Sequence, residues 1–190
     1  MNPTSPRVKL TYDDFVLFPD DGKRHELIDG EHFVTPSPNL GHQRVVGALH
    51  AAIYVWLQSN PIGEIFVAPF DVLLSNVDVV EPDLLYISNE RKQVILTPKH
   101  VTGAPELVIE VASPSTRARD ETVKRRLFER QGVLEYWVVD PDLQTVRIYL
   151  LQDGTFGRPI ELAREREDVL STRFLPGLEL ALTRIFPEEG

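Results

Sequence analysis

The segment covering residues 106–140 constrains the fold of this chain more than any other. Two short apolar runs, at residues 106–112 and 134–140, stand on either side of a stretch whose apolar side chains recur every three or four positions. The two runs predict β-strands, and the stretch between them predicts a helix over residues 119–131 that ends at Gly132. A helix that joins two strands in this way is typical of a crossover between parallel strands. The segment therefore predicts a βαβ unit.

The flanking segments indicate a mixed sheet covered by helices. The Asp-Gly pair at positions 29–30 is a hairpin signal, because glycine tolerates the positive φ of a type I′ turn. Apolar residues at helical spacing predict a long helix over residues 42–59. We also expect a short helix at 11–18, strands at 64–68, 71–74, 79–87, 145–151, 155–162 and 169–174, and a polar connection at 88–103. The predicted fold class is α/β (α+β), with a mixed central β-sheet flanked by helices, an N-terminal hairpin and C-terminal antiparallel strands.

Length and composition favour one domain and exclude several kinds of site. The 190 residues are 42% hydrophobic, which suffices for one core. We expect a flexible N-terminal arm at residues 1–10 and a single domain at residues 11–190. There is no cysteine, which excludes disulfides, cysteine-based metal centres and thiol nucleophiles. No apolar run approaches membrane-spanning length and no secretory signal is visible, so a cytoplasmic protein without a membrane partner is the expectation.

The charge is uneven along the chain. The net charge is −9, which argues against passive attraction of the whole chain to nucleic acid or anionic membranes. Residues 113–131, however, carry six bases against three acids, a local charge of +3. This stretch fits a phosphate-bearing ligand, with Arg117 and Arg119 as candidate nucleic-acid contacts. An ordinary solvated helix face would have the same composition.

Glu110 is an acid in a strand whose two faces are both apolar. Side chains alternate along a strand, so Glu110 shares one face with Val108 and Ala112, while the other face carries Leu107 and Ile109. An ionised carboxylate buried there without a partner would cost several kcal/mol. Either Glu110 has a function, or it lies at an exposed end of its strand.

Asp83 is a second candidate, because it follows Pro82 and precedes four apolar residues in a predicted strand. Proline cannot donate to a strand ladder, so the strand must bend, bulge or lie on an edge at this position. A bend beside an acid is a suitable place for a site. The other interpretation is a simple turn aspartate.

Lys124 is the third candidate, because it falls on the inward arc of the predicted helix. Val123, Leu127 and Phe128 define that arc, and Asp120 lies on it one turn earlier. A lysine that points inward needs an anionic partner or it loses its proton. Alternatively, Lys124 forms an i,i+4 pair with Asp120 at the rim of the arc.

Two carboxylates that bind a divalent cation, together with a lysine, form a site that can hydrolyse phosphodiester bonds. Asp83 and Glu110 could hold Mg²⁺ or Mn²⁺ through oxygen, with waters completing the coordination. Such a cation activates water and neutralises phosphate charge. Lys124 could then orient the attacking water or stabilise the phosphate oxygens.

These residues resemble a known family. Pro82-Asp83, followed after 26 residues by Glu110-Val111-Ala112, resembles the P-D…(D/E)-x-K nucleases and their restriction-endonuclease-like fold. Further motifs over roughly residues 10–150 are similar to the Uma-two endonuclease family: Glu26-Leu27-Ile28-Asp29-Gly30-Glu31, Pro36-Ser37-Pro38, His42-Gln43, Pro69-Phe70-Asp71-Val72, Pro82-Asp83-Leu84-Leu85, Gly103-Ala104-Pro105-Glu106-Leu107-Val108, Glu110-Val111-Ala112-Ser113-Pro114-Ser115-Thr116 and Glu135-Tyr136-Trp137-Val138-Val139-Asp140-Pro141.

The resemblance implies a role for each matched position. Asp83 and Glu110 would be metal ligands together with the backbone carbonyl of Val111. The superfamily's lysine position holds Ala112, so the resemblance implies a variant in which the lysine has moved to the following helix, where Lys124 fits.

Two further positions of the family's pattern are polar in this chain. Glu31 and His42 match them and would supply an outer ligand or orient water, or else Glu31 is only a hairpin residue and His42 only a first-turn helix residue. The helix at 42–59 contains no Asp or Glu, although the superfamily often draws an acid from its first core helix.

The implied activity is that of a Mg²⁺-dependent endodeoxyribonuclease, with DNA as the expected nucleic-acid partner. A homodimer with its contact near residues 145–174 follows by analogy. Two alternatives stay open: a catalytically inactive nucleic-acid- or protein-binding module on the same fold, and a hydrolase of a small phosphorylated or other substrate. No base-reading element is evident in the sequence.

Overall fold

A computed structural model describes residues 8–35 and 37–186 of the chain. Most of the predicted arm, residues 1–7, and Pro36 of the Pro-Ser-Pro motif lie outside the described residues. The strands β1–β14 span Arg24–Ile28, Glu31–Thr35, Gly63–Val67, Val72–Ser75, Asp78–Val80, Leu84–Ser88, Val101–Thr102, Leu107–Val111, Glu135–Asp140, Thr145–Gln152, Thr155–Phe156, Ile160–Ala163, Val169–Leu170 and Leu180–Ala181. The helices α1–α6 span Tyr12–Phe15, Leu40–Ser59, Asn89–Ile95, Arg117–Arg119, Arg125–Gln131 and Leu182–Ile185, with a π-helical turn at Asp120–Lys124 and a 3₁₀ turn at Arg164–Arg166.

The larger sheet is mixed and contains the predicted βαβ unit. Its strand order is β11-β10-β9-β8-β6-β3, and β12 also pairs with β10. Strands β8 and β9 are parallel, whereas β6 and β8 are antiparallel. The connection from β8 to β9 consists of α4, the π turn and α5, which we call the crossover helix (residues 117–131). The predicted crossover and the mixed sheet are therefore confirmed.

The smaller sheet is built around the predicted N-terminal hairpin. Its order is β2-β1-β5-β4-β7. Asp29 and Gly30 connect β1 and β2 with φ values of 53° and 74°, the positive angles that the Asp-Gly pair predicts. A separate two-stranded sheet pairs β13 with β14.

Hydrophobic clusters cover both faces of the larger sheet. One cluster joins the inner face of α2, including Leu49 and Ile53, to Ile109 of β8 and to the C-terminal segment. The other joins Val108 to Leu127 of the crossover helix and to side chains of the smaller sheet. Because the two faces of β8 belong to two clusters, β8 is the doubly covered strand that its sequence predicts.

Several predicted boundaries are wrong. The run at 79–87 is not one strand, because Pro82 cannot donate a ladder hydrogen bond and the strand structure is interrupted between β5 and β6. The helix predicted at 11–18 has α-helical geometry only over Tyr12–Phe15. Val123 is 36% exposed rather than inward, since the ion pairs of its neighbour Lys124 orient this turn. Within the described ranges, no helix has both the length and the apolar composition needed to cross a bilayer.

Candidate active site

A pocket of about 190 Å³ lies where β8 ends and β6 begins. Its walls come from both sheets, from the crossover helix and from the start of α2. The pocket is lined by five carboxylates, those of Glu26, Glu81, Asp83, Glu110 and Asp120. It is also lined by three cationic side chains, those of Arg24, Arg119 and Lys124. The pocket is therefore rich in unlike charges, with acids in the majority.

The two predicted acids lie on neighbouring strands. Leu84 pairs with Ile109 in the antiparallel register of β6 and β8. Asp83 directly precedes Leu84 and Glu110 directly follows Ile109, so the two acids lie opposite each other. Their exposed fractions are 3% and 4%. The interpretation of Glu110 as the exposed end of a strand is therefore excluded, and the acids are close neighbours rather than a sheet's width apart.

Lys124 contacts two buried carboxylates. Its Nζ atom lies 2.7 Å from Oε1 of Glu110 and 2.7 Å from Oε1 of Glu26. Lys124 is 3% exposed, so the predicted inward orientation is correct and the rim pair with Asp120 alone does not describe it. The π turn at this point of the crossover helix places both Asp120 and Lys124 on the buried side.

Asp83 accepts hydrogen bonds on both carboxylate oxygens. Nη1 of Arg24 donates to Oδ1 at 2.6 Å. Oδ2 lies 3.0 Å from Nε2 of His42 and accepts from the backbone N–H of Val111 at 2.9 Å. His42 is held at the start of α2, where its own N–H donates to the side chain of Asn39. Predicted residues His42 and Val111 are therefore both in contact with Asp83.

The site's electrostatics follow from burial and from these contacts. Burial raises the pKa of Asp83, but the His42 hydrogen bond and the Arg24 charge outweigh it and bring the pKa to about 2. Burial raises the pKa of Glu110 well above its ordinary value despite Lys124. Burial lowers the pKa of Lys124, but nearby carboxylates, Glu110 foremost, more than offset this and hold it above its ordinary value.

Two other pocket acids are also hard to ionise. Burial raises the pKa of Asp120 to about 6, although the charge of Lys124 opposes the shift. Burial raises the pKa of Glu81 to about 7, and the negative charge of Asp71 adds to this. Burial is the largest cause in all three cases, so these carboxyls hold their protons more firmly than exposed acids do.

Comparison with family models identifies a match over most of the chain. The model of the family Uma2, described as "Putative restriction endonuclease", matches residues 12–183. The chain belongs to the Uma2 family. The resemblance indicated by the sequence motifs is thereby confirmed. No curated protein matches the chain.

A solved structure has the same fold as this Uma2 chain. The chain is similar to a crystal structure described as "a putative nuclease belonging to DUF820 from Anabaena variabilis ATCC 29413", with 21% identity, a TM-score of 0.79, and coverage of 93% of this chain and 97% of the other. The type IIG restriction endonuclease BpuSI aligns over 68% of this chain and 15% of its own length, with 14% identity and a TM-score of 0.41. The first similarity confirms the predicted fold class.

Of the three remaining predicted residues of this Uma2 chain, only Arg119 lines the pocket. Glu31 begins β2 beside the hairpin turn and does not line the pocket. Arg117 forms ion pairs with Asp140 and Asp142. Arg119 does line the pocket, where its Nη2 donates to the hydroxyl of Thr35 at 2.6 Å.

Sequence reasoning missed Glu26, Arg24 and Glu81. Glu26 is 1% exposed, lies in β1 of the smaller sheet and lines the pocket. Its signal in the sequence is an acid directly before the apolar pair Leu27 and Ile28. Glu81 precedes Pro82 at the break between β5 and β6, and its backbone N–H donates to Glu26 at 3.1 Å.

The donor atoms of the pocket fit a hard divalent cation. Within residues 8–35 and 37–186, no three His, Asp or Glu side chains form a ready-made metal cage. Mg²⁺ does not require one, because it usually binds one or two carboxylates and keeps several waters. Buried oxygens Oε2 of Glu26 and Oε2 of Glu81 accept no hydrogen bond. The N–H and C=O of a strand residue leave on the same side, so the Val111 carbonyl also faces the Asp83 edge.

Proposed function

We propose that this protein is a divalent-cation-dependent endonuclease that hydrolyses phosphodiester bonds in nucleic acid, with DNA as the substrate. The Uma2 match supports the nuclease class. The observation that carries the proposal is the buried contact of 2.7 Å between Lys124 and Glu110, one strand away from Asp83. Two acids and a lysine converge there from separate parts of the chain, and all three line the pocket.

Asp83, Glu110 and the carbonyl of Val111 would hold Mg²⁺ or Mn²⁺. A cation at these oxygens would supply Lewis-acid activation of water and would neutralise charge on the phosphate. Asp83 suits the role of anionic ligand, because its pKa of about 2 keeps it ionised throughout the physiological range.

Lys124 is placed to act on the reacting groups. Its ammonium group is fixed by Glu110 and Glu26, so little motion is needed to keep it oriented. Its raised pKa keeps it charged, and its remaining N–H can donate to the attacking water or to a phosphate oxygen as negative charge develops there. His42 holds Asp83 from the opposite side and acts as a positioning residue.

The experiment is a cleavage assay on supercoiled plasmid and on single-stranded DNA, with Mg²⁺ or Mn²⁺ and with a chelator. The test variants are Asp83→Asn, Glu110→Gln and Lys124→Met, which remove one charge each. The matched control is Glu135→Gln, because Glu135 is also a buried carboxylate but bonds Trp137 and Thr172 away from the pocket.

We expect each test variant to lose at least about a hundredfold in cleavage rate, and the Glu135→Gln variant to retain it. Full activity of the Asp83→Asn and Glu110→Gln variants would show that the site is wrongly assigned. A wild-type protein that binds DNA without turnover under any of these metals would instead support the inactive binding module.

The proposal extends to a homodimer, since two pockets are needed to address both strands of a duplex. Analytical ultracentrifugation should then give twice the chain mass of 21.6 kDa. A monomer that nevertheless makes double-strand breaks would contradict this extension.

A further inference from the structure

Both carboxylate oxygens of Asp83 already have hydrogen-bond partners. Oδ2 accepts from His42 and from the backbone of Val111, and Oδ1 accepts from Arg24 at 2.6 Å. Because a carboxylate oxygen has two lone pairs, Oδ1 can accept one more partner, but a divalent cation there would lie beside the guanidinium of Arg24, which it repels. Which contact gives way decides how tightly the site binds metal.

Arg24 is the partner best placed to leave. Its side chain is 25% exposed, against 8% for His42. The Val111 contact is a backbone group within the sheet and cannot rotate away. Arg24 is also the first residue of β1, so its side chain can turn toward the pocket opening without disturbing the strand behind it.

We infer that Arg24 is a built-in counter-ion of Asp83 that competes with the divalent cation for Oδ1 and so sets the metal affinity of the site. This inference rests on the proposed function, because it assumes that Asp83 is a metal ligand. A guanidinium and a divalent cation repel each other and need the same oxygen. Metal binding therefore includes the cost of releasing Arg24, which weakens the observed affinity.

The competition also has a use. Arg24 holds Oδ1 of the buried Asp83 carboxylate through a charge-assisted hydrogen bond of 2.6 Å. The carboxylate is then already oriented when the cation arrives. Arg24 therefore lowers the metal affinity but keeps the ligand in place before binding.

The test is isothermal titration of Mn²⁺ into the wild-type protein and into Arg24→Gln and Arg119→Gln variants. Arg119 is the matched control, because it also lines the pocket as a cation but contacts Thr35 and Glu26 rather than Asp83. We expect the Arg24→Gln variant to bind Mn²⁺ on the order of tenfold more tightly than wild type. The Arg119→Gln variant should change by less than about threefold, the effect of net charge alone.

Equal affinity of wild type and Arg24→Gln, weaker binding by Arg24→Gln, or equal tightening in both variants would each overturn the inference while leaving the metal site intact. Absence of Mn²⁺ binding in all three proteins would overturn the metal site itself and the inference with it. These outcomes separate failure of the counter-ion role from failure of the proposed function.

A second measurement uses the wild-type chain and does not depend on how the variants fold. Arginine Nε–H signals are followed by NMR during a Mg²⁺ titration, with Arg119 as the internal reference. The Arg24 signal should shift as its guanidinium leaves Asp83, with the Arg119 signal nearly unchanged. A protein that binds Mg²⁺ with an unmoved Arg24 signal would contradict the inference.

Discussion

At the residue scale, Lys124 is a buried cation that neutralises part of the negative charge in the pocket. Among the described residues it is the single buried lysine or arginine, and it faces the buried carboxylates of Glu110 and Glu26. Burying one charge costs several kcal/mol, and this cost is offset only while the partners stay paired. The same contact that fixes the proposed catalytic lysine therefore also stabilises the folded state.

Replacing Lys124 with methionine should destabilise the protein in a pH-dependent way. The variant leaves two buried acids without a counter-ion, so we expect a loss of about 3 kcal/mol at about pH 8. Glu110 already has a raised native pKa, and losing Lys124 raises it further, so its ionisation disfavours folding as pH rises. The loss should shrink toward about pH 5, where Glu110 is protonated in the native state.

Urea unfolding at the two pH values measures this effect. The matched control is Lys92→Met, which breaks an ion pair of 2.8 Å between Lys92 and Glu64 in which the Glu64 side chain is half exposed. That surface pair should be worth less than about 1 kcal/mol at either pH. A loss for Lys124→Met that does not depend on pH would mean that only packing, and not charge, was removed.

At the scale of single elements, local signals in the sequence predict individual turns, helices and strands, but they do not predict how these elements pack against one another. The Asp-Gly turn, the apolar stripe of α2 and the doubly apolar β8 are each encoded by residues close in sequence. The role of Glu26 depends on how the smaller sheet lies over the crossover helix. Periodicity along one strand contains no information on that placement, so Glu26 and Arg24 could not be assigned from the sequence.

In the crossover helix, the predicted inward arc is correct for one residue and wrong for its neighbour. Its inward arc predicts Lys124 correctly, because Leu127 and Phe128 fix that face against the sheet. The same arc predicts Val123 wrongly, since a π turn interrupts the helix at Asp120–Lys124 and the ion pairs of Lys124 orient that turn. A π turn has no clear signature in a single sequence and is often found at functional sites.

The hairpin that supplies Glu26 and Arg24 depends on its turn glycine. Gly30 has φ of +74°, and a Cβ atom there would lie 2.5 Å from the Cβ of Lys9. Gly154 has a similar φ of +79° but no atom within 4 Å of its own Cβ position. The two glycines therefore separate backbone strain from steric crowding.

Gly154→Ala should cost about 1 kcal/mol, from the left-handed backbone alone. Gly30→Ala should cost at least about 2 kcal/mol, because the crowding against Lys9 adds to the same strain. Both values follow from denaturant unfolding at neutral pH. Equal losses in the free energy of unfolding for the two variants would show that the segment carrying Lys9 moves away from the new methyl group at no energetic cost.

At the scale of the whole molecule, the pocket exists only when distant parts of the chain are assembled. The larger sheet contributes Glu110, the smaller sheet contributes Glu26, the crossover helix contributes Lys124 and α2 contributes His42. An unfolded chain would not hold these groups together, so a cation that binds the pocket must stabilise the fold. The stabilisation reports on binding without any assay of cleavage.

The stabilisation by a divalent cation should grow with pH. Native-state pKa values of about 6 for Asp120 and about 7 for Glu81 lie above the ordinary values of 3.8 and 4.5. Such groups favour the folded state at low pH, and this contribution is lost as pH rises through 6 to 7 and negative charge accumulates in the pocket. A bound Mg²⁺ or Mn²⁺ relieves that repulsion, whereas at about pH 5 it competes with protons for a nearly neutral set of acids.

We therefore expect Mg²⁺ or Mn²⁺ to raise the melting temperature by several degrees at about pH 8 and by little at about pH 5. NaCl at matched ionic strength controls for screening, which acts on all charges alike. The Asp83→Asn variant should lose the increase at about pH 8, because its amide is a poor ligand for a hard cation. An equal rise at both pH values, or one that persists in Asp83→Asn, would place the cation somewhere other than among these acids.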